Sequence, residues 1–321
     1  MHTGLRIGIF ATALAATFGA AYGVGNAVDA ISPEGKGGVH AGHGGQEAAG
    51  QEEHAGGHQA TPPGGLEISR DGYTLDLKTP RVAAGARTDL RFAVVKDATG
   101  RNVTAYKREH DKELHLIVAS RDLTVFRHLH PVRAADGTWS TPVDLPAAGG
   151  YRVFADFTTA SGEALTLGAD LAASGAYRPT ALPEAGSTAE VDGYQVALDG
   201  ELTPGRAGEL TLTVTRNGRP VRNLQPYLGA YGHLVALRSG DLAYLHVHPN
   251  GEPGDGKTAS GPGISFTATA PTPGDYRLFL DFKHEGKVRT AAFTVHARAA
   301  ADASGETTRT EPADGEAEHA H

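Results

Sequence analysis

The sequence predicts an all-β protein with two tandem immunoglobulin-like antiparallel β-sandwich domains, preceded by an N-terminal signal or anchor helix and a disordered His-rich linker. Short segments rich in β-branched and aromatic residues recur about every ten residues, with Gly, Pro, Asn or Asp between them. No helical pattern of useful length interrupts them. The same series of segments occurs twice in the same order, which indicates a duplicated domain.

The first 30 residues are predicted to be a signal peptide or a membrane anchor. Residues 7–25 contain no charged side chain and are rich in Ala and Gly. The run is long for a signal-peptide core and marginal for a membrane span, so both alternatives stay open. Arg6 precedes the run, and acidic and polar residues follow it. This order predicts that the rest of the chain is extracytoplasmic, either secreted or anchored to the cell membrane by residues 7–25.

Two polar stretches, 31–64 and 299–321, are predicted to be disordered. They are dominated by small and polar residues, which bury too little apolar surface to offset the entropy lost on ordering. Both are rich in histidine, which predicts loose metal capture, although a solvated spacer is the alternative. The histidines concerned are His40, His43, His54, His58, His319 and His321.

The two repeats are predicted to span 65–178 and 184–298. HLIVASRDLTVFRHLHP, residues 115–131, aligns without a gap with HLVALRSGDLAYLHVHP, residues 233–249. A late strand, GGYRVFADF, corresponds to GDYRLFLDF in the second repeat. The Tyr in each of these strands is expected either to form a tyrosine corner, with its hydroxyl bonded back to the chain, or to pack in the core.

The composition excludes several classes of site. There is no cysteine, and the only methionine is the first residue, so disulfides, thiolate ligands, thioether ligands and cysteine nucleophiles are excluded. The net charge of −8 gives no indication of nucleic-acid binding. The 16 histidines are the outlying feature of the composition.

In the first repeat, the histidines are predicted to converge on one hairpin. His128 and His130 are two residues apart on a strand and therefore share a face. A two-residue turn at Arg121-Asp122 would place His115 directly opposite His128. Three imidazoles at this spacing suit one first-row metal ion.

The second repeat predicts the same arrangement independently. A Ser239-Gly240 turn would place His233 opposite His246, with His248 two residues further on. The alternative for both repeats is a set of half-exposed polar strand residues that common ancestry has retained. The predicted metal ligands are His115, His128, His130, His233, His246 and His248.

Asp156 and Asp281 occupy equivalent positions in the two late strands. Each is predicted to be either a metal ligand or the acceptor for an imidazole N–H, the alternatives being a solvated strand-end aspartate or a partner for Arg152 or Arg277. A site of imidazole and carboxylate without sulfur suits copper(II) first and zinc second, and an oxidising compartment also favours Cu(II).

One enzyme motif partly fits the second repeat. Gly240, His246, His248 and Glu252 match the first half of a cupin metal signature, but the first repeat lacks the Gly and the Glu. The later cupin histidine is also not found, so we expect no enzymatic activity. The HLIV…HxHP…YRxFxDF pattern resembles secreted or membrane-anchored bacterial proteins with immunoglobulin-like domains, often associated with heavy-metal or copper handling. The resemblance covers both repeats and implies a β-sandwich outside the cytoplasm.

Two functions are therefore expected as alternatives. The first is an envelope metal-binding protein that buffers or delivers copper or zinc through a three-His hairpin site in each repeat. The second is a non-catalytic interaction or structural module that binds another envelope protein and has no specific metal. The N-terminal segment would be its only contact with the membrane.

Overall fold

The computed structural model describes residues 62–245 and 247–298, apart from the side chain of His248. All of these residues fall within one compact unit of the chain. The predicted targeting segment, most of the predicted linker and the predicted C-terminal tail lie outside the described residues. Within the described range, no helix is long and apolar enough to cross a membrane.

The first repeat consists of two β-sheets that pack face to face. One sheet has the strand order β1-β2-β4-β10-β9 with β5 on β4, and the other β3-β12-β11-β7-β8 with β6 on β11. All pairs are antiparallel except β3 with β12. The strands are β1 (Ser69–Arg70), β2 (Tyr73–Leu77), β3 (Arg81–Ala83), β4 (Arg87–Lys96), β5 (Arg101–Asn102), β6 (Tyr106–Lys107), β7 (His115–Ser120), β8 (Phe126–Leu129), β9 (Val132–Arg133), β10 (Thr138–Asp144), β11 (Gly149–Thr159) and β12 (Ala164–Ser174).

The second repeat has the same arrangement with fewer short strands. Its sheets have the orders β13-β14-β15-β20-β19, with β16 on β15, and β18-β17-β21-β22. The strands are β13 (Thr188–Val191), β14 (Tyr194–Asp199), β15 (Ala207–Arg216), β16 (Arg219–Pro220), β17 (Gly232–Arg238), β18 (Tyr244–Leu245), β19 (His248–Pro249), β20 (Gly263–Thr269), β21 (Gly274–His284) and β22 (Lys287–Ala297).

These orders confirm the predicted immunoglobulin-like sandwiches. In the first repeat, β2-β4-β10-β9 corresponds to strands A-B-E-D of that fold, and β12-β11-β7 to strands G-F-C. Both predicted tyrosine corners are present. Tyr151 donates its hydroxyl hydrogen to the carbonyl of Ala147 at 2.7 Å, and Tyr276 donates to Thr272 at 2.8 Å. Both tyrosines are also buried, so each serves the corner and the core together.

The strands β7 and β17 are buried on both faces. Leu116 and Val118 point into the core of the first repeat, whereas Ile117 and Ala119 belong to a separate apolar cluster. We call this third group the inter-repeat cluster, because it combines equivalent residues of both repeats. Its buried members are Ile117, Ala119, Leu123, Phe154, Val235, Leu237, Leu242 and Phe279.

Aromatic stacking adds to this contact between the repeats. Phe126 on β8 stacks on Phe279 on β21, with ring centroids 4.0 Å apart and planes 8° from parallel. The chain entering the first repeat also touches the second, since Tyr244 donates its backbone N–H to the carbonyl of Gly64 at 2.9 Å. The two sandwiches therefore pack through the β7/β8 and β17/β18 hairpin faces, the hairpins that carry the predicted ligands.

Candidate metal centre

The register of the first histidine hairpin differs from the predicted one by two residues. His128 lies opposite Ile117, not opposite His115, and Leu116 lies opposite Leu129. The prediction was wrong because the loop is longer than a two-residue turn. A shift of two residues keeps every side chain on its predicted face, so His115, His128 and His130 still point the same way.

A polar side chain explains the longer loop. The N–H of Ser120 bonds the carbonyl of Val125, which leaves four residues in the turn. The Asp122 carboxylate accepts hydrogen bonds from the Ser120 hydroxyl at 2.5 Å and from the Thr124 N–H at 3.1 Å. Leu123 then takes a left-handed conformation, with φ of 58°.

The register of the second hairpin also differs from the predicted one by two residues. Arg238 N–H bonds the carbonyl of Ala243, and Leu237 lies opposite Tyr244. The predicted Ser239-Gly240 two-residue turn is therefore also wrong. Leu242 is also left-handed, with φ of 64°, although it lies one position later in its loop than Leu123 does. The two hairpins thus share a four-residue loop length that neither turn sequence suggested.

Three histidines of the first repeat lie close enough to share one metal ion. One ligand nitrogen from each of His115, His128 and His130 lies within 4.8 Å of the others. The ring centroids are 5.3 Å apart for His115 and His128, 5.3 Å for His115 and His130, and 4.9 Å for His128 and His130. Two imidazoles bound to one tetrahedral ion at about 2.0–2.1 Å have centroids about 5 Å apart, so these rings fit. We call this group the triad.

Hydrogen bonds fix the protonation of two triad rings. Nδ1 of His128 donates to Oδ2 of Asp281 at 2.8 Å, because a carboxylate oxygen can only accept. Nε2 of His115 donates to the carbonyl of Glu109 at 3.3 Å for the same reason. In the neutral rings the remaining nitrogens, Nε2 of His128 and Nδ1 of His115, each carry a lone pair. They face each other at 3.1 Å, so a cation between them relieves the repulsion.

The third ring of the triad has a free buried nitrogen. Nε2 of His130 is buried and has no hydrogen-bond partner among the described residues. An unpartnered buried polar atom usually costs free energy, and a ligand is one way to satisfy it. The donor set therefore fits a bound metal ion: two lone pairs turned toward each other, and a third imidazole nitrogen without another partner.

The acceptor that holds His128 comes from the other repeat. Asp281 lies on β21 opposite His233 of β17, and Oδ1 of Asp281 also accepts from the Thr290 hydroxyl at 2.5 Å. The side chains of His128 and Asp281 are only 5% and 4% exposed. A carboxylate that orients a ligand histidine is a common outer partner in metal sites. The centre thus uses both repeats, which sequence reasoning did not predict.

Asp156, the equivalent aspartate, lies on β11 opposite His115. Its Oδ1 accepts from the Thr166 hydroxyl at 2.7 Å, as Asp281 does from Thr290. Its role as a ligand or as an acceptor stays a prediction.

Burial favours the neutral form of His115, His130 and His233. It lowers the pKa of His115 to about 2, and the neighbouring His128 and His130 lower it further in the same direction. Burial likewise lowers the pKa of His130 to about 3 and that of His233 to about 4. Unprotonated imidazole is the form that binds metal, so these rings are ready ligands at neutral pH.

The second predicted three-His site is only partly described. His233 lies beside the triad, with its ring centroid 6.3 Å from that of His115 and 6.2 Å from that of His128. His246 and the side chain of His248 lie outside the described residues, so that site stays a prediction. The six flanking histidines predicted to capture metal loosely, from His40 to His321, also lie outside them.

Two neighbours of the triad were not singled out by sequence reasoning. His110, an exposed residue, has its ring 5.2 Å from that of His233 and 6.2 Å from that of His115. Tyr227 lies 6.0 Å from His130, ring to ring. His110 has no counterpart in the second repeat, so the alignment gave it no weight. One sequence signal could have predicted that the two repeats pack together. Residues 116–119 and 234–237 are continuous apolar runs, and such runs indicate strands buried on both faces.

A family model for a domain of unknown function, DUF8832, matches residues 68–175 and again residues 189–299. No curated protein matches the sequence.

Several solved structures of bacterial proteins align with the chain. The bacterial integrin-binding protein invasin is 12% identical over 73% of this chain and 41% of its own, with a TM-score of 0.22. InvD of Yersinia pseudotuberculosis is 14% identical over 76% of this chain and 62% of its own, with a TM-score of 0.24. Domains 4 and 5 of the S-layer protein SbsC are 12% identical over 73% of this chain and 100% of their own, with a TM-score of 0.21. The chain spans less than two thirds of the first two. Scores this low carry no functional argument.

Proposed function

The chain belongs to the DUF8832 family, whose domain it contains twice, and we propose that it is an extracytoplasmic metal-binding protein. It buffers or delivers copper(II), with zinc as the second choice of ion. The triad is the observation that carries the proposal: three imidazole nitrogens within 4.8 Å of one another. Nitrogen ligands without sulfur favour divalent copper over Cu(I).

The surroundings of the triad support binding rather than a chance cluster. Asp281 holds His128 by its Nδ1 and leaves Nε2 for the ion. Nε2 of His130 has no other partner within residues 62–245 and 247–298. A bound ion would supply positive charge to the lone pairs and lock the two repeats together through the Asp281 contact. Three protein ligands leave a fourth position open on a tetrahedral ion, which suits exchange with a donor or acceptor.

The location outside the cytoplasm is supported by the sequence. The uncharged run of residues 7–25 follows Arg6, and polar and acidic residues follow the run. An oxidising compartment keeps copper in the divalent state that these ligands prefer. The His-rich flanks would act there as low-affinity collectors.

Metal titration of the full-length chain tests the proposal. The six flanking histidines are first replaced by asparagine, so that loose binding does not mask the triad. This parent is expected to bind Cu(II), and Zn(II) more weakly, with dissociation constants below about 1 μM, that is, by at least about 8 kcal/mol. In this parent, His130→Asn is expected to weaken binding by at least about tenfold, since it removes one of three ligands, whose Nε2 has no hydrogen-bond partner in the described part of the chain.

The matched control is His296→Asn, an exposed histidine that donates to Asp275 at 2.7 Å. It should leave the dissociation constant unchanged. A parent that binds neither ion below micromolar concentration, or equal losses in both variants, would contradict the proposal and favour the interaction module instead.

A further inference from the structure

The histidines His110 and His233 form a second imidazole pair beside the triad. Their ring centroids are 5.2 Å apart, as close as the triad rings are to one another. His110 comes from the loop before β7 of the first repeat, and His233 is in β17 of the second. The pair therefore spans the junction between the repeats.

Hydrogen bonds leave the pair free to bind a metal. Those of His233 go through Nε2, which lies 2.8 Å from the carbonyl of Tyr227 and 3.2 Å from that of Leu228. Because carbonyls only accept, Nε2 carries the hydrogen and Nδ1 of the neutral ring carries the lone pair. His110 is exposed, so its ring can turn toward an incoming ion.

The pair lies between solvent and the triad. His110 lines an open cleft together with the acidic residues Glu252 and Asp255, which attract cations. His110 and His115 also line one narrow cleft. The triad residues are partly buried, and the side chain of His128 is only 5% exposed. A hydrated ion must therefore exchange water for protein ligands before it reaches His128.

We propose that His110 and His233 form an outer two-imidazole position that captures a divalent copper or zinc ion and passes it to the triad. This inference rests on the proposed function. His233 lies 6.3 Å from His115 and 6.2 Å from His128, ring to ring. These separations exceed the spacing of rings on one tetrahedral ion, about 5 Å, so a tetrahedral ion held by the triad leaves the pair as a distinct position. The ion moves a few ångström as bonds to the pair break and bonds to the triad form, with no change of oxidation state.

The kinetics of metal exchange distinguish a transfer position from a further ligand. A residue on the path lowers the barrier in both directions, so its loss slows uptake and release by the same factor. A ligand of the final site changes the equilibrium instead. His110 has φ of 50°, a conformation that asparagine tolerates better than alanine does, so His110→Asn is the suitable variant.

The experiment uses the full-length chain with the six flanking histidines replaced by asparagine. Stopped-flow mixing measures Cu(II) uptake from a chromogenic chelator, and release to an excess of a stronger chelator. In His110→Asn, both rates are expected to fall roughly tenfold, comparable to the low end of the 10–100-fold loss of activity when an outer partner of a metal site is removed. The dissociation constant stays within about twofold, and His296→Asn serves as the control with unchanged rates.

Two results would overturn the inference while leaving the proposed function in place. Unchanged rates in His110→Asn would show that metal reaches the triad by another path. A larger dissociation constant, caused by faster release at an unchanged uptake rate, would show that His110 is a ligand of the same ion. A parent protein that binds no metal would instead refute the proposed function itself.

Discussion

The contact between His128 and Asp281 provides the sharpest test of the centre. Asp281→Asn keeps the shape of the side chain and removes its charge. The wild-type carboxylate accepts from His128 at 2.8 Å and from Thr290 at 2.5 Å, and both the His128 and Asp281 side chains are almost fully buried. If the amide oxygen stays on Thr290, its NH₂ faces His128 and drives the ring hydrogen onto Nε2. That nitrogen is the predicted metal ligand.

Two magnitudes follow from this geometry. Loss of the partner that orients a ligand histidine costs about 10–100-fold in metal affinity, which is about 1.4–2.7 kcal/mol. In the metal-free protein, loss of a buried hydrogen bond to a charged group should lower the free energy of unfolding by about 1.5–3 kcal/mol. Competition with a chelator measures the first quantity, and urea unfolding in the presence of a chelator measures the second.

The second repeat offers a matched control. Asp275 also accepts from a histidine, His296, at 2.7 Å, but the side chains in this pair are 48% and 45% exposed. Asp275→Asn should cost less than about 1 kcal/mol and leave metal affinity unchanged, because exposed ion pairs contribute little. Equal effects of the two substitutions on stability and affinity would refute the assignment of Asp281 as the residue that orients His128.

Two further predictions concern the metal-free protein. The pKa values of His115 and His233, lowered to about 2 and about 4, predict loss of stability as pH falls below the ordinary histidine pKa of about 6.5. The unfolded chain then binds more protons than the folded one, so each residue costs about 1.4 kcal/mol per pH unit until its folded pKa is reached. A urea midpoint that does not change between pH 7 and pH 5 would contradict this. Phe126→Ala, which removes the stack on Phe279, should lower the free energy of unfolding by about 2–3 kcal/mol. The exposed Val132→Ala should change it little, and equal losses in both would rule out a contribution from the stack.

The sequence was sufficient to predict the sandwiches and the face on which the histidines lie. Strand periodicity and duplication established the fold class, and alternation along β8 placed His128 and His130 on one side. The register was wrong because the side-chain hydrogen bonds of Asp122 support a four-residue loop. The shared face survived this error because the shift was by an even number of residues.

Asp281 was a predicted acceptor for an imidazole, but its pairing with His128 of the other repeat could not be predicted from the local pattern. Asp281 is 153 residues from His128 in sequence, and only the packing of one repeat on the other joins them. His110 lacks a counterpart in the second repeat, so comparison of the repeats discarded it. Contacts of this kind depend on the orientation of two domains, which strand periodicity does not encode.

The inter-repeat cluster has a consequence for the origin of the protein. Equivalent residues of the two repeats, such as Ile117 with Val235 and Phe154 with Phe279, contribute to the same contact. A patch that packs on its own copy is the isologous arrangement of a symmetric homodimer. Joining two such copies in one chain raises their effective concentration to the millimolar range, so assembly no longer depends on protein concentration. It also frees each half to diverge, which a homodimer cannot do, and a histidine such as His110 can then be present on one side alone.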